Sequence, residues 1–176
     1  TRTTAFTGLR PTVALPPIPA PEEQLVSTRT ALIEKFDPEG RPVFSAALGR
    51  GITANGVAVD AAGSAYVAGA TCAETVPAGP GGLVAVPKDC DGYLAKLAPD
   101  GGAYEFVTTI GGEGWDGASH VAVDAAGGAY LSGVTFSTDF PATSHAPQKK
   151  LRGLQDAFVA KFDAAGGVVY ATYLGG

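Results

Sequence analysis

An internal repeat constrains the fold of this chain more than any other feature of its sequence. Residues 57–69 read VAVDAAGSAYVAG, and residues 121–133 read VAVDAAGGAYLSG, which is nearly the same segment 64 residues later. A repeat at a fixed spacing of this size is typical of proteins built from stacked copies of one supersecondary unit. The repeat therefore favours a stacked architecture over a β-sandwich in which one hairpin is duplicated, which is the alternative.

A second pattern occurs three times and marks the other half of the unit. It reads YLAKLAPDGGAYEFVTTIG over residues 93–111 and FVAKFDAAGGVVYATYLG over residues 158–175, with a further copy at residues 32–49. The spacing between copies is close to that of the first pattern, so both patterns belong to one unit. The three copies align one lysine each: Lys35, Lys96 and Lys161.

Each half of the unit consists of two short β-favouring segments joined by a turn. An aspartate followed three residues later by glycine is typical of hairpin turns, because the carboxylate accepts backbone N–H groups and glycine tolerates positive φ. The unit thus has four antiparallel strands in about 64 residues, as a β-propeller blade has. The predicted turn residues are Asp60 and Gly63, Asp124 and Gly127, and Asp163 and Gly166.

The predicted strands are apolar on both faces, as in AYVAG and VVYATYL. A sheet with one face in water should alternate, whereas a sheet stacked between two others is covered on both sides. We therefore predict an all-β fold, a β-propeller-like array of four-stranded antiparallel blades with about two and a half units and an incomplete ring. The predicted segments are an extended Pro-rich arm (1–27), a half blade (28–50), a blade with a Cys-bridged loop (51–112) and a further blade (113–176).

These motifs resemble the repeat unit of the bacterial SBBP-type β-propeller family. Residues 119–176 match that unit closely, through HVAVDAAGGAYLSGVTFSTDFPAT and DAFVAKFDAAGGVVYATYLGG. Residues 53–112 match it with an insertion between the second and third strands, and residues 1–27 match nothing in it. The resemblance implies a propeller-like fold in a secreted or surface-exposed bacterial protein, and it implies no catalytic residues.

The two cysteines, Cys72 and Cys90, stand 18 positions apart. The pair is too small for a four-ligand zinc site, and its spacing is not that of a C-x-x-C redox or haem-attachment motif. We expect a disulfide across one loop, which indicates an extracellular or cell-surface location; two free buried thiols are the alternative. The chain does not begin with methionine, which fits the removal of an export signal or a trimmed chain.

A blade at the end of an open array exposes a whole apolar sheet face, which isolated soluble proteins rarely do. Three arrangements would cover this face: the chain is a fragment of a longer propeller, copies form a closed ring, or copies stack head to tail in a filament. The Pro-rich arm could complete the first blade by strand addition, in its own subunit or in a neighbour, or it could be a linker. The apolar residues of this assembly arm are Phe6, Leu9, Val13, Leu15 and Ile18.

Charge and motif content exclude several function classes. The net charge of −5 argues against nucleic acid as a partner. No apolar run reaches the ~18 residues of a membrane span. The sequence has no G-x-S-x-G nucleophile elbow, so it predicts no catalytic residues. Residues 89–92, DCDG, share only the opening of a calcium loop, so we expect no cofactor, with calcium as a weak candidate.

We therefore expect a non-enzymatic, extracellular structural protein that self-assembles through its blade faces, its arm, or both, into a filament. Its partners would be other copies of itself or further blades of the same chain. The alternative is a binding module, an adhesin or glycan-binding fragment of a longer surface protein. In that case loops 70–91 and 134–155 would hold a surface glycan or a protein, since loops on rigid scaffolds commonly carry function.

Overall fold

The computed structural model describes residues 30–73, residue 76 and residues 89–176 of the chain. These residues form ten β-strands and no helix, which confirms the predicted all-β class. The strands are β1 (Thr30–Phe36), β2 (Pro42–Arg50), β3 (Ile52–Val59), β4 (Ala65–Thr71), β5 (Asp91–Leu97), β6 (Tyr104–Ile110), β7 (Asp116–Val123), β8 (Ala129–Thr135), β9 (Asp156–Phe162) and β10 (Val168–Leu174).

Strands that follow one another in the chain also pair with one another in space. The first sheet contains β1 and β2, the second contains β3 to β6, and the third contains β7 to β10. Every pair is antiparallel, and the strand order within each sheet is the order of the sequence, so no connection crosses over a strand. None of the three sheets closes on itself.

The register shows that the sequence repeat is also a structural repeat. In the second sheet Lys96 pairs with Tyr66 on one side and with Phe106 on the other. In the third sheet Lys161 pairs in the same way, with Tyr130 and Tyr170. The first sheet carries the corresponding pair Lys35 and Phe44. Positions of different sheets can therefore be compared one by one.

Aspartate carboxylates organise the hairpin turns. Asp60 Oδ1 accepts hydrogen bonds from the backbone N–H of Ala62 at 3.0 Å and of Ser64 at 2.9 Å. Asp124 and Asp163 accept the same two bonds in their own turns. The residue that needs left-handed backbone in each turn is a glycine, with φ of +87° at Gly63, +81° at Gly127 and +85° at Gly166.

The second sheet lies between the other two. One hydrophobic cluster fills the space between the first and second sheets, and another fills the space between the second and third. Strands β4 and β5 are consequently buried on both faces, except for partly exposed Lys96. Strands β8 and β9 alternate between buried and more exposed residues, because only one face of the third sheet is covered by another described sheet.

Cys72 and Cys90 form a disulfide, as predicted, and it links the end of β4 to the start of β5. Most of the loop that it closes, residues 74–88, lies outside the described residues. The whole predicted arm, from Phe6 to Ile18, lies outside them as well, so its role stays a prediction. In the part of the chain that is described, there is no helix that could span a membrane.

Candidate functional site

Each sheet turns one face toward the sheet that follows it in the chain; we call this the forward face, and the opposite one the back face. On the second sheet the forward face includes Leu94, Phe106 and Ile110, all buried against the third sheet. On the first sheet the corresponding positions are Ile33, Phe44 and Leu48, and Ile33 and Leu48 belong to the cluster against the second sheet. Both interfaces thus use the same strand positions.

The third sheet carries the same face, but no described sheet covers it. Tyr130 and Leu174 are 39% and 62% exposed, whereas their counterparts Tyr66 and Ile110 are 0% and 2% exposed. A packing surface of the second sheet is therefore repeated on the third as a solvent-facing surface. Thr172 is the exception, since it is 5% exposed and its hydroxyl donates to the carbonyl of Gln148 at 3.1 Å. The forward-face positions of the third sheet are Tyr130, Ser132, Val134, Val159, Lys161, Tyr170, Thr172 and Leu174.

Aromatic rings of the forward face sit on turn glycines of the next sheet. A Cβ atom on Gly166, in the third sheet, would lie 2.6 Å from Cδ2 of Phe106, in the second. A Cβ atom on Gly101 would overlap the ring of Phe44 in the same manner. At the equivalent turn glycine of the first sheet, Gly40, no described residue lies within 4 Å of the Cβ position.

Hydrogen bonds reinforce this contact between neighbouring sheets, because side chains of the forward face donate to backbone carbonyl groups in the turns of the next sheet. Tyr66 Oη donates to the carbonyl of Gly127 at 3.2 Å, and Thr108 Oγ1 donates to that of Gly166 at 2.8 Å. The turn of Gly63 receives its bond from Lys35 Nζ at 3.0 Å. These bonds satisfy backbone carbonyls that the turns leave without a partner inside their own sheet.

Two of the aligned lysines, Lys96 and Lys161, pair their charge on the forward face with acids of their own sheet. Lys96 Nζ lies 2.7 Å from Glu105 and 3.5 Å from Asp60, and 5.1 Å from the centre of the Tyr66 ring. Burial opposes its charge, but hydrogen bonds with Glu105 and Tyr66 outweigh burial and raise the pKa of Lys96. A lysine can therefore stay charged inside the interface between two sheets.

Lys161 repeats this arrangement on the exposed face of the third sheet. Its Nζ lies 4.7 Å from the centre of the Tyr130 ring and 3.7 Å from Asp124. The hydrogen bond with Tyr130, together with the charge of Asp124, raises the pKa of Lys161. The charge of Lys161 is thus paired with an acid of its own sheet, Asp124. Lys96 is paired in the same way on the covered face of the second sheet.

Two acidic side chains meet at the junction of the second and third sheets. Asp91 is the first residue of β5 and Asp116 the first of β7, and both are buried. Burial, and then the negative charge of Asp116, raises the pKa of Asp91 to about 6. Nothing in the sequence pattern brings these residues together, since the predicted calcium candidate at 89–92 included Asp91 but not Asp116.

Among the described residues, no group of three or more His, Cys, Asp or Glu side chains is arranged to hold a metal ion. The predicted turn residues, from Asp60 to Gly166, lie in hairpin turns at the sheet ends. They shape these turns, and the turns contact the neighbouring sheet. Sequence reasoning missed the aromatic residues of the forward face. Their recurrence at one position of the three-copy pattern was the available signal: Phe44, Phe106 and Tyr170.

No protein-family model matches the chain, and no curated protein is significantly similar to it.

Proposed function

We propose that this chain is a non-enzymatic structural repeat protein of the SBBP β-propeller type, in which each sheet is a blade and copies assemble head to tail. The observation that carries the proposal is the equivalence of two faces. The forward face of the second sheet is buried by a sheet of this chain, and the same face recurs, exposed, on the third. A surface that already binds one blade is suited to bind another of the same kind.

The proposed occupant is the first sheet of a second copy, which would offer its back face. Leu32 and Phe36 on that face are 55% and 54% exposed. Their counterparts on the third sheet, Phe158 and Phe162, are buried against the second sheet. Each side chain of this size that is removed from water contributes about 1.5–3 kcal/mol, so two such surfaces favour association.

The turn that contains Gly40 determines how the two copies are aligned in the proposed contact. In the two interfaces within the chain, an aromatic ring rests on the turn glycine of the following sheet. Tyr170 is the corresponding ring on the third sheet, and none of the residues that the structure describes covers Gly40. We place Tyr170 of one copy on Gly40 of the next, which makes the contact heterologous and able to continue into a filament.

An extracellular location is part of the proposal, and the Cys72–Cys90 disulfide supports it, because such bonds persist in oxidising compartments. The Pro-rich arm at 1–27 is a second candidate contact between copies, by strand addition to a sheet edge. The two contacts are separable, since removal of the arm leaves the forward face of the third sheet intact.

Sedimentation velocity over a concentration series, with electron microscopy, tests the assembly. We expect the sedimentation coefficient of the wild-type protein to increase with concentration. Leu174→Asp should reduce association at least tenfold, because it places a charge on the forward face. Leu154→Asp is the matched control, since Leu154 is a loop residue that is 92% exposed and lies on neither face. A wild-type chain that stays monomeric at micromolar concentration would overturn the proposal.

Complementation tests the head-to-tail geometry. Leu174→Asp blocks a forward face and Phe36→Asp blocks a back face, so neither variant should extend alone. A mixture of the two should form a one-to-one dimer through the faces left intact. Dimers formed by either variant alone would instead indicate a symmetric contact and contradict the proposed register.

The loop that follows β8 favours the second candidate function, a binding module. Phe140 in this loop packs against Phe158 and Tyr173, with ring centres 4.8 Å and 5.4 Å apart, and Tyr173 Oη donates to the carbonyl of Ser137 at 2.8 Å. The loop is thereby fixed on the scaffold, as recognition loops commonly are. Glycan-array binding that is lost when residues 144–154 are shortened would favour this function.

A further inference from the structure

The junction between the second and third sheets contains two buried carboxylates with unsatisfied oxygens. Asp91 is 7% exposed and Asp116 is 0% exposed. The Oδ1 atom of each is buried and has no hydrogen-bond partner among the described residues. Buried polar atoms of folded proteins are nearly always paired, and a buried charge is costly unless a partner compensates it. Two such atoms at one junction require an explanation.

The two carboxylates both border Gly111. A Cβ atom on Gly111 would overlap Asp91 Oδ1 and would lie 2.7 Å from Asp116 Oδ2, so only a glycine leaves room between them. The N–H of Gly112 at 2.8 Å and the hydroxyl of Ser137 at 2.7 Å both donate to Asp116 Oδ2. These bonds orient the Asp116 carboxylate and leave its Oδ1 for another partner.

Further negative charge lies close by. Asp89 and Asp139 both act electrostatically on Asp91 in the same direction as Asp116, which is to disfavour its ionised form. Asp139 Oδ1 accepts the N–H of Glu113 at 2.8 Å, which fixes it beside the junction. Asp91 thus experiences the negative charge of Asp116, Asp139 and Asp89, and a cation beside it would offset this repulsion.

The fold itself does not need this pair. The junction between the first and second sheets has Thr30 at the position of Asp91 and Ile52 at that of Asp116. In the third sheet Asp156 stands at the position of Asp91, and its Oδ2 accepts bonds from Gln148 at 2.6 Å and from the N–H of Arg152 at 3.0 Å. Only one of the junctions therefore carries two facing carboxylates.

We propose that Asp91 and Asp116 bind a divalent cation, of the calcium class, between the second and third sheets. The side-chain donors are all oxygens, which suits hard cations rather than zinc or copper. Two carboxylates balance the charge of one such ion, and backbone carbonyls and water complete a coordination shell of about six to eight oxygens. With two acidic ligands the affinity belongs to the weak class, a Kd of about 10⁻⁴–10⁻³ M.

Such an ion would act as a clamp between blades. β5 belongs to the second sheet and β7 to the third, so a shared ion would add an ionic link to the apolar packing and hydrogen bonds that already join the two units. The inference does not depend on assembly between copies, because both ligands belong to one chain. A failure of the assembly experiment would leave it untouched.

Thermal unfolding in EDTA and in about 5 mM calcium tests the proposal, with isothermal titration of calcium as the direct measurement. We expect calcium to raise the Tm of the wild-type chain by about 5 °C and to bind once per chain. Asp91→Asn and Asp116→Asn should abolish both effects. Asp156→Asn is the matched control and should keep the full calcium response, even if its own stability is lower.

The order of stabilities separates an ion from a proton shared by the two acids. In EDTA we expect Asp91→Asn to be more stable than the wild-type chain, because it removes like-charge repulsion, and in calcium we expect the order to reverse. If Asp91→Asn is equally more stable in both solutions, and titration shows no calcium uptake, the acids share a proton and the proposal is overturned.

Discussion

The aromatic ring of Phe106 rests on Gly166, although the two residues belong to different sheets. A Cβ atom at Gly166 would lie 2.6 Å from the ring, and the φ of +85° at this glycine already disfavours any other residue. One position thus shapes a hairpin turn and seats the neighbouring sheet. The same glycine of the first sheet, Gly40, has the turn geometry, with a φ of +78°, but no ring of the described part of the chain rests on it.

Gly166→Ala should therefore destabilise the chain more than Gly40→Ala. Both substitutions strain a left-handed residue, at a cost of about 1 kcal/mol. Only Gly166→Ala also displaces a buried ring, which adds about 1–3 kcal/mol by overpacking. Urea unfolding of both variants, at a concentration where the protein is monomeric, measures the difference. Equal losses would mean that Phe106 does not rely on the turn.

Lys96→Met should likewise lower the free energy of unfolding more than Lys161→Met does. Lys96 lies between the sheets with its side chain only 13% exposed, and it pairs with Glu105 and Asp60. Its loss leaves acids without their cation and should cost about 1–3 kcal/mol. Lys161 makes the equivalent contacts on an exposed face, where water replaces them. Chemical denaturation provides the comparison. A loss at Lys161 as large as at Lys96 would contradict the role assigned to burial.

Asp60 should make stability depend on pH in the acid range. Burial raises its pKa, but the N–H of Ser64 and the charge of Lys96 outweigh burial, so the pKa in the folded chain lies below the usual value. The ionised form is therefore favoured by folding. Its contribution is complete above the unfolded pKa of about 3.9 and disappears as the pH falls through the lower folded value.

Asp60→Asn isolates this contribution. The variant should be less stable than the wild-type chain at neutral pH, because the amide oxygen accepts backbone bonds without the charge that attracts Lys96. The difference should shrink toward zero as the pH falls through the lowered pKa of folded Asp60, because the wild-type carboxylate is then protonated as well. Unfolding curves recorded across this range check it. A difference that does not vary with pH would show that the charge contributes nothing.

Removal of the disulfide should lower stability through the unfolded state. Closing a loop of this length stabilises by about 3 kcal/mol in the chain-entropy model, and Cys72→Ser combined with Cys90→Ser should lose that amount. Reductant should destabilise the wild-type chain and leave the double variant unchanged. If reductant acts equally on both, the Cys72–Cys90 bond is not the source of its effect.

Local chemistry explains what the sequence predicted well. The Asp–Gly turns, the strand pairs and the Cys72–Cys90 loop depend on residues that are close in the chain, so a pattern of a few residues carries them. The aligned lysines were visible as a pattern, and their position between Tyr66 and Phe106 follows once the register is known.

Contacts between sheets could not be predicted from the sequence, because they depend on how whole units stack. Asp91 and Asp116 come from different units, and neither one alone differs from an ordinary acidic residue at a strand end. The burial that makes them unusual arises only when β5 and β7 meet. The seating of Phe106 on Gly166 was hidden for the same reason, since a turn glycine already has a sufficient local explanation.

The ring-on-glycine contact has an evolutionary consequence. Because each unit carries a ring on one side and a receiving turn on the other, a tandem duplication of the coding segment would copy both halves of the contact at once. The new unit would fit its neighbours without compensating changes elsewhere. An array of this kind can lengthen or shorten by whole units, and its two ends remain chemically distinct at every length.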